Sequence, residues 1–289
     1  MALITSRTGL ICLIGDPVAH SVSPLIHNKA LSFAGLNFIY LAFRVPKRSL
    51  EHAVLGLKAV GARGFNVTIP HKTAVTKYLD ELDEFAAKIH SVNTVVNDDG
   101  TLIGHNTDGI GVINALKRAN FSIKGKSVAI IGAGGSGRAA SLAIAREGPR
   151  ELYIINRTFK KALKLAKILE ENFHFPITPL HLERASMSST LKAVDLLINC
   201  TSLGMYPNTS IPVHPNLLRR DMLVMDLVYT PLMTPLLKAA RDKGARIVNG
   251  IEVLVEQAAK SFEIWTGVKA PISLMRRVAY NSIGGASIE

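Results

Sequence analysis

The chain has 289 residues, 48% hydrophobic and 19% charged, which excludes a disordered protein and leaves room for one large or two moderate domains. Lys and Arg number 34 against 22 Asp and Glu, a formal charge of +12. No arginine-rich run, basic tail or aromatic RNA-binding motif accompanies that charge, so small anionic ligands are expected rather than nucleic acid.

Strands and helices alternate from the start. LICLIG reads as a strand, and Ser23-Pro24 opens a helix over PLIHNKALSFAG, with Ser23 as N-cap and Pro24 at the first helical position. NFIYLAFRV is a strand and SLEHAVLGLKAV a helix. GFNVTI alternates Phe65, Val67 and Ile69 with Asn66 and Thr68, as a strand with one polar face does. Pro70 ends it, and KTAVTKYLDELD reads as a helix with Lys72 in its first turn, where the helix dipole disfavours a cation. VNTVV and TLIGH, joined by Asn97-Asp98-Asp99-Gly100, form a hairpin. The expected sheet is mostly parallel with an antiparallel edge.

A helix over GIGVINALKRANF, capped by Thr107 or Asp108, precedes a second series of strands and helices: SVAIIGAGGSGRAASLAIA, ELYIINRT, LKLAKILEEN, DLLINCT, MLVMDLVY and ARIVNG. The tail, IEVLVEQAAKSFEIWTG and SLMRRVAYNSI, is helical. The alternation restarts near residue 108, so an α/β protein of two domains is expected. One comprises 1–107 with 252–289, the tail helices returning to it, and the other 108–251. Cys12 and Cys200 lie in apolar runs and read as buried thiols, with no metal or disulfide spacing. No segment is apolar for long enough to span a bilayer, and no signal peptide is recognisable, so no membrane association and a cytoplasmic location are expected.

GAGGSG lies between a strand and a helix, the setting that makes a glycine loop a dinucleotide site. Gly132 allows the turn, Gly134 close approach to a pyrophosphate, and Gly137 tight helix–strand packing. The next strand ends in Asn156-Arg157-Thr158, with Lys161 following. No carboxylate stands there to repel a 2′-phosphate, and Arg157 can grip one, so the expected cofactor is NADP.

The blocks GDPVAHSVSP, GFNVTIPHK, SVNTVV, HNTDG, GAGGSG, NRT, NCTSLGM, MDLVY and LVEQAA occur in the order and with the approximate spacing of the shikimate dehydrogenase family. The chain resembles that family along nearly its whole length. The resemblance implies a substrate domain, a Rossmann-type NADP domain, and reversible NADPH-linked reduction of 3-dehydroshikimate to shikimate in aromatic amino-acid biosynthesis. It implies that Ser21 and Ser23 hold the substrate carboxylate, and that Asn66, Thr68, Asn93, Asp108, Tyr229 and Gln257 bind the rest of the substrate. Lys72 falls on the catalytic lysine, with Asp108 as its partner. Alone, Lys72 reads equally as a solvated first-turn lysine, Asp108 as an N-cap, Asn93 as a structural amide and Gln257 as a surface side chain.

On the cofactor side the resemblance points to Gly132, Ala133, Gly134, Gly135 and Ser136, then to Asn156, Arg157, Thr158 and Lys161. It adds Thr201, Gly204, Met205, Leu227, Gly250 and Glu84, although LDEFAAKIHS also fits an ordinary amphipathic helix. The chain departs from the family in three places. Lys161 replaces a frequent arginine, Glu252 stands where a small residue is common, and Gly137 replaces a side chain. Two other functions fit the motifs: a quinate/shikimate dehydrogenase with relaxed substrate or NAD use, and a catalytically silent NADP-binding regulator. No metal is expected, and the assembly is expected to be a monomer or homodimer.

Overall fold

LICLIG belongs to a strand whose end is buried on both faces, as an unbroken apolar run requires. In the computed structural model, which describes residues 4–183, 191 and 193–283, it sits inside the first of two six-stranded sheets. The chain divides into two compact units, residues 1–107 with 255–289 and residues 108–254.

In the first unit the strands are β1 (Gly9–Gly15), β2 (Phe38–Arg44), β3 (Gly64–Val67), β4 (Glu81–Leu82), β5 (Thr94–Asp98) and β6 (Thr101–His105). Their order is β2-β1-β3-β5-β6-β4. β1 runs parallel to β2 and β3, β4 parallel to β6, and β5 antiparallel to both its neighbours. The antiparallel strand is therefore interior, not the expected edge. The hairpin between β5 and β6 turns through Asp99 (φ 44°) and Gly100 (φ 93°). Positive φ at both central residues matches the twist of the flanking strands, and Asn97 Oδ1 accepts the Gly100 N–H at 2.8 Å. Helices α1 (Ser23–Phe33), α2 (Leu50–Ala59) and α3 (Glu84–Ile89) belong to this unit. So do α9 (Ile272–Ile283), packed on α1, and most of α8 (Gly250–Thr266). One core gathers Cys12, Ile14, Phe65, Val67, Val95 and Leu102. Trp265 of α8 is buried and donates its indole N–H to the Val95 carbonyl at 2.8 Å.

The helix expected over KTAVTKYLDELD does not form. A five-residue 3-10 helix, Ala74–Tyr78, replaces it, and Leu79 is already extended. Asp80 explains the stop. Its carboxylate accepts the Leu102 N–H at 2.7 Å while its own N–H donates to the Leu102 carbonyl at 3.0 Å, drawing the chain to the sheet edge as β4. Lys72 thus lies in a turn ahead of a short 3-10 segment, and the dipole argument for it lapses.

The second unit contains β7 (Ser127–Ile131), β8 (Glu151–Asn156), β9 (Ile177–His181), β10 (Leu196–Asn199), β11 (Leu223–Asp226) and β12 (Arg246–Val248). They are all parallel, in the order β12-β11-β10-β7-β8-β9. This is the doubly wound dinucleotide-binding arrangement, whose strand order reverses between β7 and β10. Its helices are α4 (Asp108–Arg118), α5 (Gly135–Arg146), α6 (Phe159–Glu170), α7 (Pro235–Asp242) and the first turn of α8. β9 escaped the sequence reading because Pro179 interrupts its pattern; it is an edge strand, where proline is tolerated. Cys12 is buried as expected, but Cys200 is only half-buried, one residue past the end of β10.

Candidate active site

In the first unit, predicted residues gather at the carboxyl ends of parallel strands, the usual ligand-facing end of such sheets. Ser21 and Ser23 follow β1. Ser23 is the first helical residue of α1 rather than its cap; Val22 occupies that place, and Ser21 Oγ accepts the Ser23 N–H at 3.3 Å. The two side chains therefore share one turn. Thr68 follows β3 and packs over Gly15, where a Cβ would stand 2.3 Å from Thr68 Cγ2. The Thr68 carbonyl accepts the His71 N–H at 2.9 Å, closing a turn through the cis Ile69-Pro70 peptide. Buried His71 is tied through Nε2 to the Val45 carbonyl at 2.6 Å. Half-buried Lys72 comes next, and its carbonyl accepts the Val92 N–H at 2.8 Å. That bond sets Lys72 beside the segment carrying Asn93.

Asn66 and Asn93 are 6% and 3% exposed, and both are hydrogen-bonded. Asn66 Oδ1 accepts from the Tyr40 hydroxyl at 2.7 Å. Its Nδ2 donates to the Asn93 carbonyl at 2.9 Å, Thr94 Oγ1 at 3.1 Å and Ser261 Oγ at 3.3 Å. Asn93 Nδ2 donates to Thr107 Oγ1 at 2.9 Å and Gln257 Oε1 at 3.2 Å, and its Oδ1 accepts the Thr107 N–H at 2.7 Å. Ser261 sits one turn beyond Gln257 on α8, with its Oγ 2.8 Å from Thr94 Oγ1 and 3.1 Å from Thr107 Oγ1. Three predicted residues, Asn66, Asn93 and Gln257, thus share one polar cluster with four that the sequence did not mark as binding residues: Tyr40, Thr94, Thr107 and Ser261. Thr107 stood in the quoted HNTDG block, and the spacing of Ser261 from Gln257 was a usable signal. His27 stacks on Tyr40 with ring centroids 4.4 Å apart. Burial pushes its pKa down to about 3, which keeps the ring neutral.

In the second unit the glycine loop joins β7 to α5. Gly132 has φ +111°, and a Cβ there would stand 3.0 Å from Cys200 backbone atoms. At Gly137 a Cβ would lie 2.0 Å from the Gly132 carbonyl oxygen, so the departure from the family at this position is required by the local packing. Around Gly134 a Cβ would meet nothing within 4 Å, which leaves its backbone open to a ligand. No side chain caps α5, so its first N–H groups could hold an anion. Asn156 Oδ1 accepts the Ala133 N–H at 3.1 Å and its Nδ2 donates to the Thr158 carbonyl at 2.9 Å. Arg157, Thr158 and Lys161 are exposed, and no carboxylate ends β8. These residues fit a dinucleotide bearing a 2′-phosphate.

Asp108, 7% exposed, opens α4, and its Oδ2 accepts from Ser136 Oγ at 3.3 Å. A proposed proton-transfer residue therefore contacts the glycine loop directly. Thr201, Gly204 and Met205 follow β10, while Leu227 and half-buried Tyr229 follow β11. Gly250 opens α8, where a Cβ would lie 2.5 Å from the Leu227 carbonyl oxygen. Glu84, on α3 of the first unit, is exposed and ion-paired with Lys88 at 2.9 Å. Glu252 pairs with Arg118 at 3.3 Å. Among the described residues no group of His, Cys, Asp and Glu could hold a metal, and no helix is long and apolar enough to cross a membrane.

Three family models match: "Shikimate dehydrogenase substrate binding domain" over residues 13–95, "Shikimate / quinate 5-dehydrogenase" over 114–228, and "Shikimate 5'-dehydrogenase C-terminal domain" over 250–280. A shikimate dehydrogenase (NADP(+)) of Moorella thermoacetica is 44% identical over 289 residues, covering 99% of this chain and 98% of the relative. The chain belongs to the shikimate dehydrogenase family. Among solved members, a shikimate dehydrogenase in complex with NADP+ superposes with a TM-score of 0.89 at 43% identity, covering 97% of this chain and 98% of the other. The enzyme of Listeria monocytogenes, in complex with shikimate and NAD, gives 0.87 at 37%, covering 95% and 97%.

Proposed function

We propose that the chain is an NADP-dependent shikimate dehydrogenase, reversibly reducing 3-dehydroshikimate to shikimate in the shikimate pathway, in the cytoplasm. The observation that carries this reading is 44% identity to an enzyme of that name over 99% of the chain. The site residues fit. Ser21 and Ser23 offer hydroxyls to the substrate carboxylate beside the start of α1. Thr68 and the cluster of Asn66, Asn93 and Gln257 address hydroxyls and the ketone, with Tyr229 contributing from the segment after β11.

NADPH, when bound, supplies the hydride. The developing alkoxide needs a proton, which Lys72 Nζ donates; in the oxidative direction Lys72 takes it back. Asp108 balances the charge of the lysine and, through Ser136, holds the first turn of α5. The N–H groups at Gly134–Ser136 cradle the pyrophosphate, and Arg157 with Lys161 takes the 2′-phosphate. Thr201, Gly204, Met205, Leu227 and Gly250 line the nicotinamide end. Asn156 holds the loop by its bond to Ala133. Glu84, exposed on α3 and paired with Lys88 at 2.9 Å, is carried as a further cofactor-side residue.

The test is a steady-state assay crossing shikimate or quinate with NADP+ or NAD+. Rapid NADP+-dependent oxidation of shikimate, with quinate a poor substrate, is expected. Preference for quinate or NAD+ would move the physiological role, and no turnover by folded, NADP+-binding protein would leave a silent binder.

A further inference from the structure

We propose that Asp226 is a positioning residue, which locks together the two loops that carry the nicotinamide-end residues. The inference rests on the site reading above for Thr201, Gly204, Met205 and Leu227. β10 and β11 are adjacent and parallel, and Asn199 and Asp226 are register partners at their carboxyl ends. Asp226 is 0% exposed. Its Oδ1 accepts from Asn199 Nδ2 at 2.9 Å and the Val228 N–H at 3.0 Å, and its Oδ2 from Thr234 Oγ1 at 2.6 Å.

Each partner carries the constraint outward. Asn199 Oδ1 accepts from both the N–H and Oγ1 of Thr201, at 3.0 and 2.7 Å, while Nδ2 also donates to the Leu203 carbonyl at 3.1 Å. The Asn199 carbonyl accepts the Leu227 N–H at 3.0 Å. Thr234 caps α7 through the Leu237 N–H at 3.2 Å. Gly204 has φ +95°, and a Cβ there would stand 3.9 Å from Asp226 Oδ2, so the carboxylate underlies the turn. Three donors and no acceptor face Asp226 among its hydrogen-bonded partners, which suits an acceptor-only group. One buried carboxylate therefore fixes residues 201–204, 227–228 and 234 together.

The test compares Asp226→Ala, Asp226→Asn and Asn199→Ala in the full chain. Affinities are measured for NADP+ and for adenosine 2′,5′-bisphosphate, which probes the Arg157 and glycine-loop end but lacks the nicotinamide half, alongside kcat and circular-dichroism melting. For Asp226→Ala we expect bisphosphate affinity within about twofold of the parent, NADP+ about tenfold weaker and kcat down by up to ~100-fold, since small misplacements near the reacting centre cost that much. Asp226→Asn keeps the Oδ1 acceptor and restores most of both. If Asp226→Ala does not fold, Asn199→Ala, which cuts the same tie, gives the same split. Equal loss of both affinities, or no loss of either, overturns the proposal. The affinity split needs no turnover, so it decides the role of Asp226 even if the parent fails to oxidise shikimate, a result that would count against the proposed function alone.

Discussion

The Tyr40 hydroxyl donates to Asn66 Oδ1 across 2.7 Å, which fixes the carboxamide with Nδ2 toward the Asn93 carbonyl. Tyr40→Phe leaves a buried acceptor without that donor, at a cost of about 1–3 kcal/mol. We expect KM for shikimate to rise roughly tenfold while KM for NADP+ holds. Unchanged shikimate kinetics would show that the amide does not depend on Tyr40.

Lys72→Ala removes the proposed proton donor but no part of the glycine loop. Turnover should fall by ~10²–10⁴, the usual worth of a positioned acid–base group. NADP+ affinity, read by fluorescence titration, should survive. Collapse of cofactor binding with turnover intact would reverse the assignment.

Arg157→Ala tests the 2′-phosphate grip. A lost charge-assisted hydrogen bond, worth about 1.5–3 kcal/mol, should weaken NADP+ by ~10–100-fold and NAD+ hardly at all. An equal loss for both nucleotides would place Arg157 outside the 2′-phosphate site.

Gly137→Ala forces a Cβ to within 2.0 Å of the Gly132 carbonyl oxygen unless loop or helix moves. Such overpacking costs about 1–3 kcal/mol, so the melting temperature should drop and NADP+ should bind more weakly. A variant as stable as its parent would mean the loop can shift freely.

Asp226 gives the protein a pH signature. Burial pushes its pKa up to about 6 from 3.8, against the lowering effect of its bonds to Thr234, Val228 and Asn199. The folded state then holds a proton that the unfolded chain has released. This group's contribution is therefore fully present below about pH 4 and declines as the pH rises to about 6, by roughly 3 kcal/mol. Denaturant midpoints across that range should fall more steeply for the parent than for Asp226→Asn, and parallel profiles would contradict the shift.

The glycine loop, the Asp99-Gly100 hairpin and the alternation of strands and helices were legible because each is a local signal. The error at Lys72 was local too. Val75, Tyr78 and Leu79 gave helical spacing, but Asp80 had a better use at the sheet edge, bonded to Leu102. β4 has two residues and β9 contains a proline, so neither carries a readable pattern. The polar cluster was legible only in part. Asn66 and Ser261 meet across 195 positions, and nothing near either residue announces the other. The motif blocks contained Asn199 and Asp226, but their register at neighbouring strand ends is visible only in the folded sheet.

Trp265, whose indole is bonded to Val95, and Ser261 belong to the first unit, yet they follow every residue of the second in the chain. During synthesis the dinucleotide unit is therefore complete while the first still lacks part of its interior. A nascent chain halted after Leu254 would leave the Asn66 amide without Ser261 and the Val95 carbonyl without the Trp265 indole. Substitutions in the tail should accordingly impair maturation of a sheet made some two hundred residues earlier, and lower yield before they lower activity.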